Sequence, residues 1–186
     1  FLGVRVPWRK TFPETAICGS PELIRRFREV IRKLRETSEE EFVPSVRILV
    51  LGSLTVSKKA EFTVDDEIKM YNDWVDNIVE RHGINRDEIW YKPHPRLGNA
   101  AYLAKKDRLK CKIYPLGIQP LAEVEISRKG IEAVYSIGST AILYAKVVFG
   151  KQAFLIDTSR IKKMNRRRSR FYRYIAKRYH IPMLDW

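Results

Sequence analysis

Two short stretches carry residue types that could do chemistry together. The first is Lys92-Pro93-His94-Pro95-Arg96. A proline pushes the residue before it toward extended backbone, so Lys92 and His94 sit on a stiffened strand exit. An imidazole held there between two cations suits a phosphate that gains charge during a reaction. Imidazole can give such a group a hydrogen bond or a proton near neutral pH. The second is Gly138-Ser139-Thr140, which follows the largely apolar run 131–137 and precedes Ala141-Ile142-Leu143-Tyr144-Ala145. A strand feeding a helix through Gly-Ser-Thr leaves backbone N–H groups and two hydroxyls at the end of a sheet, a place to hold a phosphate or carboxylate. The same residues also read as an ordinary helix N-cap, and an isolated Gly-Ser-Thr favours that simpler reading. His82 and His180 have no comparable setting and read as surface residues. Asp65-Asp66-Glu67 reads as first-turn acids that complement a helix dipole rather than as a metal cluster.

The elements that must position these stretches alternate. Residues 46–52 form an apolar strand ending in Gly52, and a helix runs from Asp65 to about His82 with Ile68, Tyr71, Trp74, Val75 and Ile78 on one face. A short strand covers 88–92, a weak helix or loop 99–108, and a third short strand 112–116. Pro120 opens a helix through Ile126. The 131–137 strand, its helix and a fifth strand at 152–157 complete the pattern. This alternation predicts an α/β fold with a doubly wound parallel sheet, Rossmann-like. Ligands of such sheets sit beyond the carboxyl ends of the strands. That edge would carry Gly52, His94, the 115–123 turn and Ser139-Thr140.

The flanks differ in character. Residues 1–20 look irregular, Ser20-Pro21-Glu22 opens a basic amphipathic helix, and 37–41 is an acidic linker. The tail, 159–186, combines Arg166-Arg167-Arg168-Ser169-Arg170 with a helix bearing Phe171, Tyr174, Ile175 and Tyr179. Arginines interleaved with aromatic rings suit nucleic acid, and they equally suit a packed helix with its basic side outward.

Composition sets the bounds. The chain has 186 residues, 45% of them hydrophobic, enough for one good-sized domain with a buried core. A formal charge of +14 implies an anionic partner: nucleic acid, an acidic membrane surface or a negatively charged substrate. No apolar run approaches the roughly 20 residues that span a bilayer. The first residues have neither the charged nor the apolar region of a signal peptide and no initiator Met, as if the chain began partway through a longer protein. Cys18 and Cys111 make neither a disulfide framework nor a zinc cluster and fit a reducing cytoplasm.

Lys92-Pro93-His94-Pro95-Arg96 resembles the His-Pro motif, and Tyr135-Ser136-Ile137-Gly138-Ser139-Thr140-Ala141 the Ser/Thr motif, of the bacterial sialyltransferases that transfer from CMP-sialic acid. The likeness is strongest to lipooligosaccharide sialyltransferases and capsular polysialyltransferases. The strand exit at 50–54 and the segment 120–124 support it, and it covers about residues 45–157. The resemblance implies the C-terminal, donor-binding half of a GT-B glycosyltransferase that performs inverting transfer with no metal and no resident cofactor. His94 would contact the CMP phosphate and assist its departure. Ser139 and Thr140, with Gly138, would hold the same phosphate. Glu123, or less readily Glu125, would bind the ribose, Pro95 would lie by the cytidine, and Lys92 and Arg96 would add positive potential.

One departure stands out. The family's general base lies in an Asp/Glu-Asp/Glu-Gly triplet of the preceding acceptor domain. This chain has no such triplet, since Asp65-Asp66-Glu67 lacks the glycine. The expected organisation is therefore 1–44 as the end of an acceptor domain plus linker, 45–158 as the donor-binding domain, and 159–186 as a basic helical extension. The expected partners are the nucleotide-sugar, an anionic glycan or glycolipid acceptor, the missing acceptor domain, and an inner membrane face touched through the basic surface. Two other readings stand beside it. One is a polyol-phosphate or Kdo transferase using a CDP- or CMP-activated donor, and the other is a basic nucleic-acid-binding module.

Overall fold

A computed structural model describes residues 20–37, 45–53, 63–115, 121–157 and 166–185. The expected irregular start, acidic linker, loop after Ser53 and Pro120 lie outside these residues, as do 159–165 and the side chains of 166–169 in the basic tail. The elements run α1 (Pro21–Thr37), β1 (Ile48–Leu51), α2 (Val64–His82), β2 (Ile89–Lys92), α3 (Asn99–Lys106), β3 (Lys112–Ile113), α4 (Ala122–Ile126), β4 (Ala133–Ser136), α5 (Ala141–Leu143), β5 (Gln152–Asp157), α6 (Arg166–Arg178) and β6 (Met183–Asp185).

Six strands form one sheet in the order β3-β2-β1-β4-β5-β6, and every pairing is parallel. The fold is α/β and Rossmann-like, as the alternation predicts. β1 and β4 are buried along their whole length, because a central parallel strand is covered on both faces. One face packs under α2, whose Ile68, Tyr71, Trp74, Val75 and Ile78 meet Ile48, Val50, Tyr135 and Phe154. The other face lies under α4, α5 and α6, with Leu49, Leu51, Val134 and Leu155 against Ile126, Ile142, Tyr172 and Ile175.

Local chemistry sets the boundaries. α2 opens with a reciprocal capping box: Asp66 N–H donates to Thr63 Oγ1, and Thr63 N–H to the Asp66 carboxylate. It closes at Gly83, which adopts φ 59°. Asp65 and Asp66 are first-turn acids, but Glu67 is buried in an ion pair of 2.8 Å with the equally buried Lys105 of α3. That pair ties α2 to α3, a link that the sequence pattern does not show. α1 lies on the α4–α5 side, where Phe27 stacks on Tyr144 at 4.7 Å and Arg28 donates to the Val148 carbonyl.

Two expectations, on β3 and His82, are corrected, and two features, in α5 and at β6, are new. β3 covers two residues of the expected 112–116: the Tyr114 N–H still donates to the Tyr91 carbonyl, but Pro115 has no N–H to carry the ladder on, and 116 lies outside the described residues. α5 has three α-helical residues and then widens into a π-helical turn over Tyr144–Val148, closed by Phe149 N–H on the Tyr144 carbonyl. β6 is a sixth strand whose two half-buried residues and one exposed residue offer no pattern to read. His82 is not a free surface residue: it is half-buried, and its Nε2 lies 2.7 Å from the Tyr135 hydroxyl. Burial, then the neighbouring Arg81, lowers its pKa.

Candidate active site

The strand order reverses between β1 and β4, because β1 leads by way of α2 to one side and β4 by way of α5 to the other. At such a switch the connections diverge and leave a crevice beyond the carboxyl ends of the strands. Register fixes what stands there. Lys92, Leu51 and Ser136 pair in one rung across β2, β1 and β4. Immediately past that rung come His94 on one side, Gly52 in the middle and Gly138-Ser139-Thr140 on the other. The two outer exits are two strand spacings apart, roughly 10 Å.

Gly52 keeps the middle low. A Cβ there would lie 2.4 Å from the Tyr91 hydroxyl, and the Gly52 N–H instead donates to the Lys92 carbonyl at 2.8 Å. Only a residue without a side chain allows this approach.

At the β2 exit His94 is half-buried, and its Nδ1 accepts the Arg96 N–H at 3.1 Å. In the neutral ring that bond leaves the hydrogen on Nε2, so the imidazole is set up as a donor through Nε2. Pro95 and Arg96 are exposed. Lys92 turns inward: its side chain is 3% exposed, with Nζ 5.5 Å from the Tyr114 ring centroid, so it can act on a ligand only by its field and not by contact. Among the described residues Nζ has no hydrogen-bond partner. Burial pulls its pKa down to about 8, against the opposing pull of Glu125 and then Glu123.

The two candidate ribose acids separate clearly. Glu125 is wholly buried and committed, accepting from the Tyr114 hydroxyl at 2.7 Å and from Arg128 Nε at 2.9 Å. Burial, then Glu125 itself, pushes the Tyr114 hydroxyl well above its ordinary range, so it remains a donor. Glu123, one position from the start of α4, is half-buried, and its side chain faces no such demand.

The β4 exit corrects a further expectation. The Gly138 and Ser139 N–H groups do not point free from the sheet edge. Both donate to the buried Ser136 Oγ, at 3.1 and 3.0 Å. Ser139 Oγ accepts the Ala141 N–H at 3.2 Å, and since Thr140 already has helical dihedrals this bond acts as a cap at the start of the helix. Thr140 is exposed and makes no capping hydrogen bond. From α6, the Tyr172 hydroxyl donates to the Gly138 carbonyl at 2.6 Å. Sequence reasoning missed Ser136 and Tyr172. A polar residue closing an otherwise apolar strand was the signal for Ser136; Tyr172 had none, being 34 residues away on another element.

A cavity of about 500 Å³ lies elsewhere, between α2 and the β5–β6 end of the sheet, lined by Trp74, Arg81, Tyr135, Ile156 and Leu184 among others. None of the residues nominated from sequence lines it. Among the described residues no group of His, Cys, Asp or Glu could hold a metal ion, and no helix is long and apolar enough to cross a membrane.

No curated protein matches the sequence. The family model of alpha-2,8-polysialyltransferases matches residues 18–158, which takes in α1, β1 to β5 and both strand exits. The match covers well over half of the chain, and the chain therefore belongs to the alpha-2,8-polysialyltransferase family, a group of sialyltransferase-type glycosyltransferases.

Proposed function

We propose that this chain is the donor-binding half of a GT-B polysialyltransferase and holds CMP-sialic acid across the β1–β4 switch. The reading is carried by the shared rung of Lys92, Leu51 and Ser136, which sets the His-Pro and Gly-Ser-Thr exits on either side of the same crevice. His94 presents its Nε2 hydrogen to a CMP phosphate oxygen. Ser139 and Thr140 hold that phosphate through their hydroxyls, with Gly138 leaving room for it. Glu123 takes the ribose, since Glu125 is occupied by Arg128 and Tyr114. Pro95 lies beside the base, and Lys92 and Arg96 supply positive potential.

In the reaction the bond between the sialyl anomeric carbon and the phosphate oxygen breaks, and both electrons leave with CMP. His94 stabilises that oxygen by hydrogen bond or proton as the charge develops. The acceptor hydroxyl of an anionic glycan or glycolipid attacks the opposite face, which inverts the centre, and a carboxylate of a preceding acceptor domain takes its proton. A monophosphate leaving group can be stabilised by imidazole and hydroxyls alone, so no metal is required. Residues 1–44 are the end of that acceptor domain and its linker, while α6 and β6 complete the donor-binding domain and the exposed basic side of α6 approaches the inner membrane face in the cytoplasm.

The test is a metal-free titration with CMP, CDP, UMP and AMP, followed by melting temperature and hydrogen exchange. A ligand that binds only the folded state raises the melting temperature by mass action. CMP should raise it most and protect residues around 94 and 139–140. Equal shifts with every nucleotide, or a dependence on added magnesium, would count against the reading. A stronger response to CDP would favour the polyol-phosphate alternative, and protection over 161–178 by an oligonucleotide would favour nucleic acid.

A further inference from the structure

The peptide unit between Gly138 and Ser139 is held at both ends. Its carbonyl, that of Gly138, accepts the Tyr172 hydroxyl at 2.6 Å, and its N–H, that of Ser139, donates to Ser136 Oγ at 3.0 Å. The Gly138 N–H donates to the same Ser136 oxygen at 3.1 Å. The Tyr172 ring lies against the turn from above: a Cβ on Gly138 would be 2.7 Å from Tyr172 Cε2. Tyr172 is buried, in contact with Phe171, and its helix packs on β5. Nothing in the folding of the turn requires a phenol from a helix 34 residues away. Plain apolar packing on Gly138 would seal the same space.

We propose that Tyr172 is a positioning residue for the donor phosphate, acting by fixing the orientation of the Gly138–Ser139 peptide plane. The inference rests on the assignment of this turn to the phosphate. The two bonds keep the carbonyl dipole turned toward α6 and set the direction in which the Ser139 and Thr140 side chains leave the backbone. A glycine peptide rotates easily. With its carbonyl released, the plane can turn the partly negative oxygen toward the crevice, where it would repel an anion and carry both hydroxyls out of place. α6 thereby belongs to the donor site through Tyr172, which acts by way of the turn.

Tyr172→Phe keeps the ring against Gly138 and removes only the hydroxyl. The measurement is the affinity of the whole chain for CMP and for cytidine, with Ser139→Asp as a reference that places a carboxylate where the phosphate would sit. Tyr172→Phe should weaken CMP about three- to tenfold, the range of one hydrogen bond, and leave cytidine unchanged. Ser136→Cys, which weakens the grip on the other end of the same peptide, should show the same selective loss and serves if Tyr172→Phe folds poorly. A structural role alone would lower the melting temperature and leave the ratio of CMP to cytidine affinity where it was. If Ser139→Asp abolishes CMP binding while both other variants keep the original ratio, the positioning role is wrong and the phosphate assignment stands. If Ser139→Asp binds CMP like the original, the phosphate assignment itself falls and the positioning role with it.

Discussion

At the exit of β4 the chain is held by its own side chains. Ser136 gathers two N–H groups, Ser139 a third, and Tyr172 fixes a carbonyl from the outside. At the exit of β2, on the same rung of the sheet, the hold runs through the backbone and one ring: the Lys92 and His94 carbonyls accept the Gly52 and Leu97 N–H groups, a ring nitrogen of His94 takes the Arg96 N–H, and the Lys92 ammonium has no hydrogen-bond partner among the described residues. The difference follows from what each side must do. A cradle for an anion works by presenting fixed dipoles that need no rearrangement when charge appears. A group that gives a proton or meets a changing charge must keep donor capacity in reserve. On the proposed reading the β4 side serves as a fixed support, and the β2 side holds the reactive and titratable groups.

The comparison is tested most severely at His94. In the transferring enzyme His94→Ala should lower the turnover rate by about two to four orders of magnitude, the usual range for a positioned acid. Melting of the isolated chain should change little, because the ring is only half-buried and its bond to Arg96 spans two residues. A variant that keeps its rate would move the chemistry away from the β2 exit.

Lys92 should give the next largest effect, on stability. Its folded pKa of about 8 lies below the ordinary lysine value of 10.5. Below pH 8 the folded protein therefore carries a buried, unpaired cation, and the full cost is present. Between pH 8 and 10.5 the unfolded chain holds a proton that the folded chain has released, so stability rises with pH and then levels off. Lys92→Met should be more stable than the original at pH 7 by about 2–3 kcal/mol, and the gain should vanish near pH 10.5. Melting curves across that range decide it; a constant difference would mean that Lys92 is not the titrating group.

The same contrast explains what the sequence made legible. β1, α2, β2 and β4 carry unbroken apolar runs or a clean helical face, so hydrophobic spacing alone places them. The two exits were legible as motifs, because proline neighbours and a glycine break are local. What holds them is not local. Glu67–Lys105 joins residues 38 positions apart across two helices, and each reads as an ordinary charged helix residue. Tyr172 reads as one more aromatic in a basic tail until α6 folds back over Gly138. The expected free N–H groups at Gly138 and Ser139 failed for the same reason: Ser136 sits inside an apolar run, and only the sharp turn brings its hydroxyl under both amides. β6 escaped notice because three residues beside Pro182 offer no period to read.

The smallest effects separate the two serines of the β4 exit, which a reading of the turn as an ordinary helix cap would treat in the opposite way. If the turn were only a cap, Ser139 would be the important residue, at about 1 kcal/mol, and Ser136 a bystander. The geometry reverses that order. Ser136 is fully buried and accepts two N–H groups, so Ser136→Ala leaves both without an acceptor where water has little access. It should cost on the order of 2 kcal/mol. Ser139 is half-exposed and accepts a single N–H at 3.2 Å. Water can replace that bond, so Ser139→Ala should cost about 1 kcal/mol or less. Both can be measured by denaturant unfolding of the chain without nucleotide, with the slope of the transition unchanged. Equal losses, or a larger loss at Ser139, would show that the turn is organised from the helix and not from the strand beneath it.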